Sequence, residues 1–313
     1  MRSMQVSQIA QSLESNERRS SFAKMMKGVH SAHIKLRPFA YGEPSNGMVY
    51  RKFFYNDHGK VIKKLNFNST GKLNMKEEYQ FDKTGRILRS QFITDNSIQE
   101  EKYLYHSKGF LEEYFFNNSG WEIPKREQYE VDSALRKTKK VSYGRLGIPE
   151  LITHYLYEGK NKKYNYRHVT QPDGTLILTL KYSFDKKNNL KNIHGFDMTP
   201  EEVMCLIEED KSWEMKSLFR STWTYDKDHN PIAFQRDEKA ESLTLLGENA
   251  FVGSLESGRI ITLRSNSEFE KINGRFYLAK TTEWLAKYNE PLKEIKEYTY
   301  FDSTGKEVFS STS

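Results

Sequence analysis

The chain has 313 residues, 36% of them hydrophobic and 29% charged, with 49 Lys+Arg against 42 Asp+Glu and a net charge of +7. Its 19 Tyr, 19 Phe and 4 Trp supply enough ring area to drive a core, which excludes a disordered chain. No apolar run is long enough for a transmembrane helix, and a lone cysteine, Cys205, excludes an internal disulfide or a cysteine-ligated zinc site.

Residues 1–45 read as an N-terminal arm, in which Val6, Ile9, Ala10 and Leu13 follow helical spacing. Residues 1–29 contain no apolar signal-peptide core. The compartment therefore stays open: cytoplasmic as the sequence stands, periplasmic, envelope-associated or secreted if a signal peptide has been removed. His30 and His33 are spaced to share a metal on a helix, but no acidic residue follows until Glu43, and no metal site is assigned.

Residues 46–198 carry an internal repeat. Its members are Tyr55-Asn56-Asp57-His58-Gly59-Lys60-Val61, Phe67-Asn68-Ser69-Thr70-Gly71-Lys72-Leu73, Phe81-Asp82-Lys83-Thr84-Gly85-Arg86-Ile87, Tyr105-His106-Ser107-Lys108-Gly109-Phe110-Leu111 and Phe116-Asn117-Asn118-Ser119-Gly120-Trp121. The same grammar returns from Phe184-Asp185, Tyr225-Asp226 and Phe301-Asp302. An aromatic ends one strand, Asp or Asn opens a turn by bonding its own backbone, glycine supplies the positive φ that closes it, and an aliphatic starts the return strand. Asp95-Asn96-Ser97 fills the place of a turn without its glycine. Aromatics two apart, such as Tyr79/Phe81, Tyr103/Tyr105 and Tyr182/Phe184, share a strand face, and packing within the sheet explains them more simply than a ligand stripe.

Arg136, Lys137, Lys139, Lys140 and Arg145 form the densest basic stretch, and strand alternation would divide them between two faces. Elsewhere basic residues mix with Glu, the pattern of a solvated surface, which argues against nucleic acid as a partner. Aromatic and basic residues together have the composition of an interface. On that ground Trp121, Lys139, Lys140, Tyr164, Tyr166 and Arg167 are the candidate partner or ligand surface.

Thr199-Pro200-Glu201-Glu202 is a helix-start signature. It opens a helical insertion over 199–220 whose buried stripe is Val203, Leu206 and Ile207 with Met204, and Cys205 reads as a small core residue. Residues 221–313 form a C-terminal antiparallel β lobe. Asn273-Gly274 marks a hairpin between 268–272 and 275–280, Ser257-Gly258 another, and the turn at 289–291 a third. The fold class is mainly β: an antiparallel repeat-hairpin sheet, curved or wrapped, with one short inserted helix.

At its Tyr/Phe-Asp-x-x-Gly-Arg/Lys-Ile/Leu segments, best at 79–87, the chain resembles the YD (RHS-type) β-hairpin repeats of bacteria and, more loosely, the repeats of MORN-variant proteins. The resemblance covers 48–125 well and 140–190, 221–235 and 298–308 in fragments. It implies a curved sheet used as a scaffold or binding surface in secreted or envelope proteins, and it supplies no catalytic residues.

The chemistry of enzymes is not visible in the motifs: there is no Gly-x-Ser-x-Gly, no phosphate-binding loop and no dinucleotide fingerprint. Glu77-Glu78 and Glu112-Glu113 alternate faces on a strand and cannot both enter one cleft. The expectation is a non-enzymatic protein without cofactors, a protein-binding or structural accessory subunit of a bacterial assembly. It would not be transmembrane, though peripheral contact with a membrane is compatible, and partners could add strands at sheet edges. The alternative is an envelope protein that holds a lipid or glycan in its curved sheet.

Overall fold

The segment at 82–86 shows how the repeat folds. The Asp82 carboxylate accepts from the backbone N–H of Thr84 at 2.9 Å and of Arg86 at 2.8 Å. Gly85 N–H donates to the Asp82 carbonyl at 2.9 Å, and Asp82 N–H to the Arg86 carbonyl at 2.8 Å. The result is a type I turn closed by a residue in the left-handed region, Gly85 at φ 80°, with a G1 bulge where the return strand begins. Asn56 and Asn68 hold their turns in the same way. The pairing register slips at each such hairpin, at Phe54/Tyr55, Gln80/Phe81, Leu104/Tyr105 and Thr224/Tyr225 among others. A bulge bends its strand and increases the twist, so a bulge in hairpin after hairpin curls the sheet.

The computed structural model describes residues 29–40, 43–44, 48–119, 121, 123–144, 146–159, 163–210, 212–239, 255–256, 259–272, 275–287 and 290–310. The first half of the sheet is β1 (Ser31–Ala40), β2 (Glu43–Pro44), β3 (Met48–Tyr55), β4 (Val61–Phe67), β5 (Leu73–Phe81), β6 (Ile87–Ile93), β7 (Ile98–Tyr105), β8 (Leu111–Asn118), β9 (Lys125–Val131) and β10 (Lys137–Tyr143). Next come β11 (Pro149–Leu156), β12 (Tyr166–Thr170), β13 (Leu176–Phe184), β14 (Leu190–Phe196), helix α1 (Pro200–Glu209), β15 (Phe219–Tyr225) and β16 (Pro231–Lys239). The last are β17 (Leu255–Glu256), β18 (Arg259–Ile272), β19 (Arg275–Lys287), β20 (Glu290–Phe301) and β21 (Glu307–Ser310).

From β3 to β16 each strand pairs antiparallel with the next, β16 pairs with β18, and β18, β19 and β20 follow in order. β20 then pairs with β1 and β1 with β3, so the sheet closes into an 18-stranded antiparallel barrel. Eighteen strands at ~4.8 Å spacing make a ring at least ~27 Å across, wider than side chains can fill. The core is accordingly spread along the inner wall. One cluster gathers Val169, Leu178, Leu180, Tyr182, Ile193, Phe219, Trp223 and Phe234 from β12–β16. Another, at the seam, gathers Ala32, Tyr55, Tyr277, Tyr300 and Phe309.

The strands alternate as a half-buried sheet should. On β5, Glu77 is buried on the inner face beside Tyr79, while Lys76 and Glu78 pair with each other at 2.8 Å on the outer face. Outside, Lys102 of β7 pairs with Glu100 at 3.1 Å, and Arg89 of β6 also pairs with Glu100. A lipid-facing barrel wall carries an apolar band, and each charge at its midplane costs ~2–4 kcal/mol; the outer face of β5–β7 is built for water. No helix among the described residues is long and apolar enough to cross a membrane.

The basic residue after the turn glycine also has a structural role. Lys60 lies over the Phe81 ring of the next hairpin at the same end of the barrel at 5.5 Å, and Arg86 over Tyr105 at 4.6 Å. Arg136 covers Tyr157 at 4.5 Å and Lys163 covers Phe184 at 4.6 Å. Four of these hairpins are thereby tied to the next by a cation on a ring face, while Phe110 and Asn189 fill the slot at two others.

Helix α1 begins with the expected capping box: Glu202 N–H donates to Thr199 Oγ1 at 3.3 Å, and Thr199 N–H donates to the Glu202 carboxylate at 2.7 Å. Val203, Leu206 and Ile207 pack with Tyr166, Phe196 and Trp213 on the outside of the barrel. The expected stripe is corrected at two positions: Met204 and Cys205 are exposed. At 100° per residue Cys205 lies about 200° from Val203 and faces away from the wall. β14 pairs directly with β15, Asn192 opposite Thr222, so the ring continues past the insertion.

Three further expectations change. Residues 31–40 belong to the barrel rather than an arm: Ala32, Ile34 and Leu36 alternate along the strand that closes the ring. The helical spacing at Val6–Leu13 lies outside the described residues. His33 is therefore in a strand, its ring 4.7 Å from that of Phe301, and the described residues contain no cluster of metal-ligating side chains. Strand addition at an open edge loses its basis, because each ring strand among the described residues has a neighbour on both sides.

Candidate functional site: a cationic, ring-walled cavity at one rim

A Glu-x-Tyr pair recurs on the inner face of alternate strands: Glu77 and Tyr79 on β5, Glu101 and Tyr103 on β7, Glu127 and Tyr129 on β9. In each, the tyrosine hydroxyl donates to the glutamate two residues earlier, at 2.5, 2.9 and 2.5 Å. Tyr114 adds a bond to Glu101 at 2.9 Å, and Ser90 adds another. Burial raises the pKa of Glu77, but Lys64, Tyr79 and Asn66 outweigh it and hold the carboxyl below its ordinary range. Glu127 behaves alike: burial pushes up, while Lys140 at 2.7 Å with the Tyr129 and Ser142 donors pulls further down. Burial, then the charge of the neighbouring carboxylate and the hydrogen bond to it, pushes the hydroxyls of Tyr103, Tyr114 and Tyr129 well above the ordinary tyrosine value.

Past β9 the wall changes sign. The guanidinium of Arg167, on β12, lies 4.4 Å from the Tyr164 ring centroid and 5.3 Å from those of Tyr155 and Tyr182. It also donates to the Tyr164 hydroxyl. The Lys137 ammonium lies 4.2 Å over the Tyr129 ring. Burial lowers the Lys137 pKa, Arg167 and Lys140 lower it further, and Glu127 only partly opposes them, leaving it at about 8.

At this place a cavity of 810 Å³ opens at the rim that carries the Asp-x-x-Gly turns. Its cations are Arg136, Lys137 and Lys163; its rings are Tyr157, Tyr164, Tyr182 and Phe184. Arg136 is held by Asp132 at 2.7 Å and donates to the Gly159 carbonyl at 3.1 Å. The Tyr157 hydroxyl donates to the Lys137 carbonyl at 2.9 Å, and the Tyr164 and Tyr182 rings meet edge to face at 4.9 Å. Ring walls and a positive floor suit a ligand with an apolar body and a negative end.

The residues singled out from sequence lie in several places. Tyr164 lines the cavity and Arg167 stacks on it. Lys140 faces inward to Glu127, whereas Lys139 faces outward to Glu130 at 3.0 Å. Tyr166 is buried on the outer wall in the α1 cluster, and Trp121 packs edge-on against Phe116 at 5.5 Å. Lys137, Arg136, Lys163, Tyr157 and Tyr182 were missed as site residues. They come from three hairpins; the basic stretch already held Arg136 and Lys137 and the aromatic pairs held Tyr182, but no local signal placed them with Lys163 and Tyr157 at one rim.

Exposed aliphatics lie toward both rims: Ile62, Leu88, Leu104 and Leu135 beside this one, and five more at the opposite rim. In consecutive hairpins there, Leu73, Ile98, Ile123, Leu146 and Ile148 are exposed, Leu146 by 80%, Ile148 by 60% and Ile98 by 50%. Hairpins on one rim are two strands, roughly 10 Å, apart, so these aliphatics form a row on the order of 30 Å long.

Fold and rims together define a closed antiparallel β-barrel of hairpin repeats. No protein-family profile matches the chain, and no curated protein does. The solved structures similar to it include the TcdB2–TccC3–Cdc42 complex, at 13% identity and a TM-score of 0.28, covering 84% of this chain but 14% of that one. A porin-like protein from Bacteroides uniformis is similar at 10% identity and a TM-score of 0.35, covering 88% of this chain and 98% of that one. The N-terminal domain of SpvB from Salmonella typhimurium is similar at 10% identity and a TM-score of 0.21, covering 84% and 91%.

Proposed function

We propose that the chain is a non-enzymatic, protein-binding or structural subunit of a bacterial assembly, envelope-associated or secreted, and that it docks a partner protein through the rim of 73, 98, 123, 146 and 148. The observation that carries this reading is the row of exposed aliphatics. Single exposed apolar residues are ordinary. A row repeated in consecutive hairpins on one rim, beside the ion pairs on the outer face of β5–β7, has the composition of an interface centre with a polar surround. Closure of the ring directs contact to this rim, since strand addition has no open edge to use.

The test is crosslinking and copurification of the untagged protein from its native source, alongside the variant Ile98→Ser/Leu146→Ser/Ile148→Ser. These side chains are exposed, so the variant should melt like the parent. The expected result is a defined protein partner held by the parent and lost from the variant. A parent that emerges alone, or a partner held equally by both, would overturn the reading.

A further inference from the structure

The cavity at the other rim carries a second inference, independent of the docking row. We propose that the 810 Å³ cavity binds a small organic anion: an aromatic or aliphatic body with one acidic end, the acid facing Lys137 and Lys163 and the body lying against the rings of Tyr157, Tyr164 and Phe184.

Size, charge and wall chemistry each narrow the ligand. The volume lies within the range of pockets that enclose a drug-sized molecule, ~300–1,000 Å³. Arg136, Lys137 and Lys163 line the space and no carboxylate does. The nearby acids are already engaged, Asp132 with Arg136 at 2.7 Å and Glu127 with Lys140 at 2.7 Å. Arg167 adds positive charge behind Tyr164. A bound cation would be repelled. A bare inorganic anion would leave the apolar walls, Leu135, Phe184 and Leu190, unused. An amphipathic anion satisfies both parts, because its charge meets ammonium groups in a partly desolvated site, where a charge-assisted hydrogen bond is strong. The tyrosines that form the walls are fixed by their own contacts, Tyr157 through its bond to the Lys137 carbonyl and Tyr182 through Tyr164, so the space exists before the ligand arrives.

The test uses the full chain and two fluorescent probes of the same shape: 1-anilinonaphthalene-8-sulfonate and its uncharged parent, N-phenyl-1-naphthylamine. Saturable binding of the sulfonate at one site per chain is expected, with weaker binding of the uncharged parent. Lys137→Met should weaken the sulfonate about tenfold or more, the effect of losing a charged hydrogen bond, and leave the uncharged probe unchanged. Lys137→Arg should retain sulfonate binding. Leu190→Trp, which fills the space without touching charge, should abolish binding of both probes. Far-ultraviolet circular dichroism confirms that each variant is folded, and two variants of different kinds keep the test decisive if one is not. Equal sulfonate affinity in the parent and Lys137→Met, or full binding by folded Leu190→Trp, overturns the proposal. So does binding that disappears in the rim variant Ile98→Ser/Leu146→Ser/Ile148→Ser but survives in Lys137→Met, since the probe would then sit on the docking row.

Discussion

Leu135 occupies, at φ 61°, the slot that Gly85 and Gly109 fill in their own hairpins on the same rim. A side chain in that region costs roughly 1–2 kcal/mol, and Leu135 is 43% exposed and recovers little by burial. Leu135→Gly should therefore stabilise the protein by about 0.5–1 kcal/mol in urea denaturation, after the entropy that glycine returns to the unfolded chain. Gly85→Ala should have the opposite sign at similar size; two changes of the same sign would refute the account of the slot. Lys137 gives a residue-scale prediction in pH. Burial, with repulsion from Arg167 and Lys140, holds its pKa at about 8, well below the ordinary lysine value of 10.5, despite Glu127. Between those values the unfolded chain keeps the proton and the folded chain releases it, so stability rises with pH across that window. Below pH 8 the full burial cost is present, at most ~3 kcal/mol. Lys137→Met should be more stable than the parent at pH 7, with a gap that narrows toward pH 10. A gap constant in pH would show that the ammonium is not buried as described.

At the scale of an element, α1 is secured by its cap and by one apolar stripe on the outer wall. Thr199→Ala removes the cap oxygen and should cost ~1 kcal/mol. Because β14 and β15 pair directly, the loss should remain local. Hydrogen exchange should quicken at Val203, Leu206 and Ile207 while Tyr182 and Ile193 keep their protection. If the β13 and β14 amides exchange faster as well, the helix is part of the barrel's cooperative unit.

For the whole molecule the decisive element is β1, which lies between β3 and β20. Ala32 is 1% exposed, opposite Phe53 on one side and Tyr300 on the other. Ala32→Asp places an unpaired charge at that seam, a change in the class that costs more than ~4 kcal/mol. Amide protection should fall together at 53–55 and 298–301, segments far apart in sequence, ahead of any loss at 176–196. Protection lost on only one side would mean that β1 is not the closing strand.

Much of this was legible in the chain itself. Asp82, Gly85 and Arg86 encode their turn through contacts at most four residues apart, and Thr199 with Glu202 encodes a helix start at a spacing of three. Alternation likewise puts Glu77 and Glu78 on opposite faces. Local bonds need only local sequence, so the hairpins, the helix and the antiparallel class could be read from it. Ring closure, the partners of Arg167 and the gathering of Lys137, Lys163 and Tyr182 around one space depend on strands brought together from distant parts of the chain. Cys205 shows the limit at close range: helical phase turns it outward, though its neighbours in sequence are apolar. Only the folded barrel decides those positions, because they follow from the accumulated bend of many bulged hairpins and from no single segment.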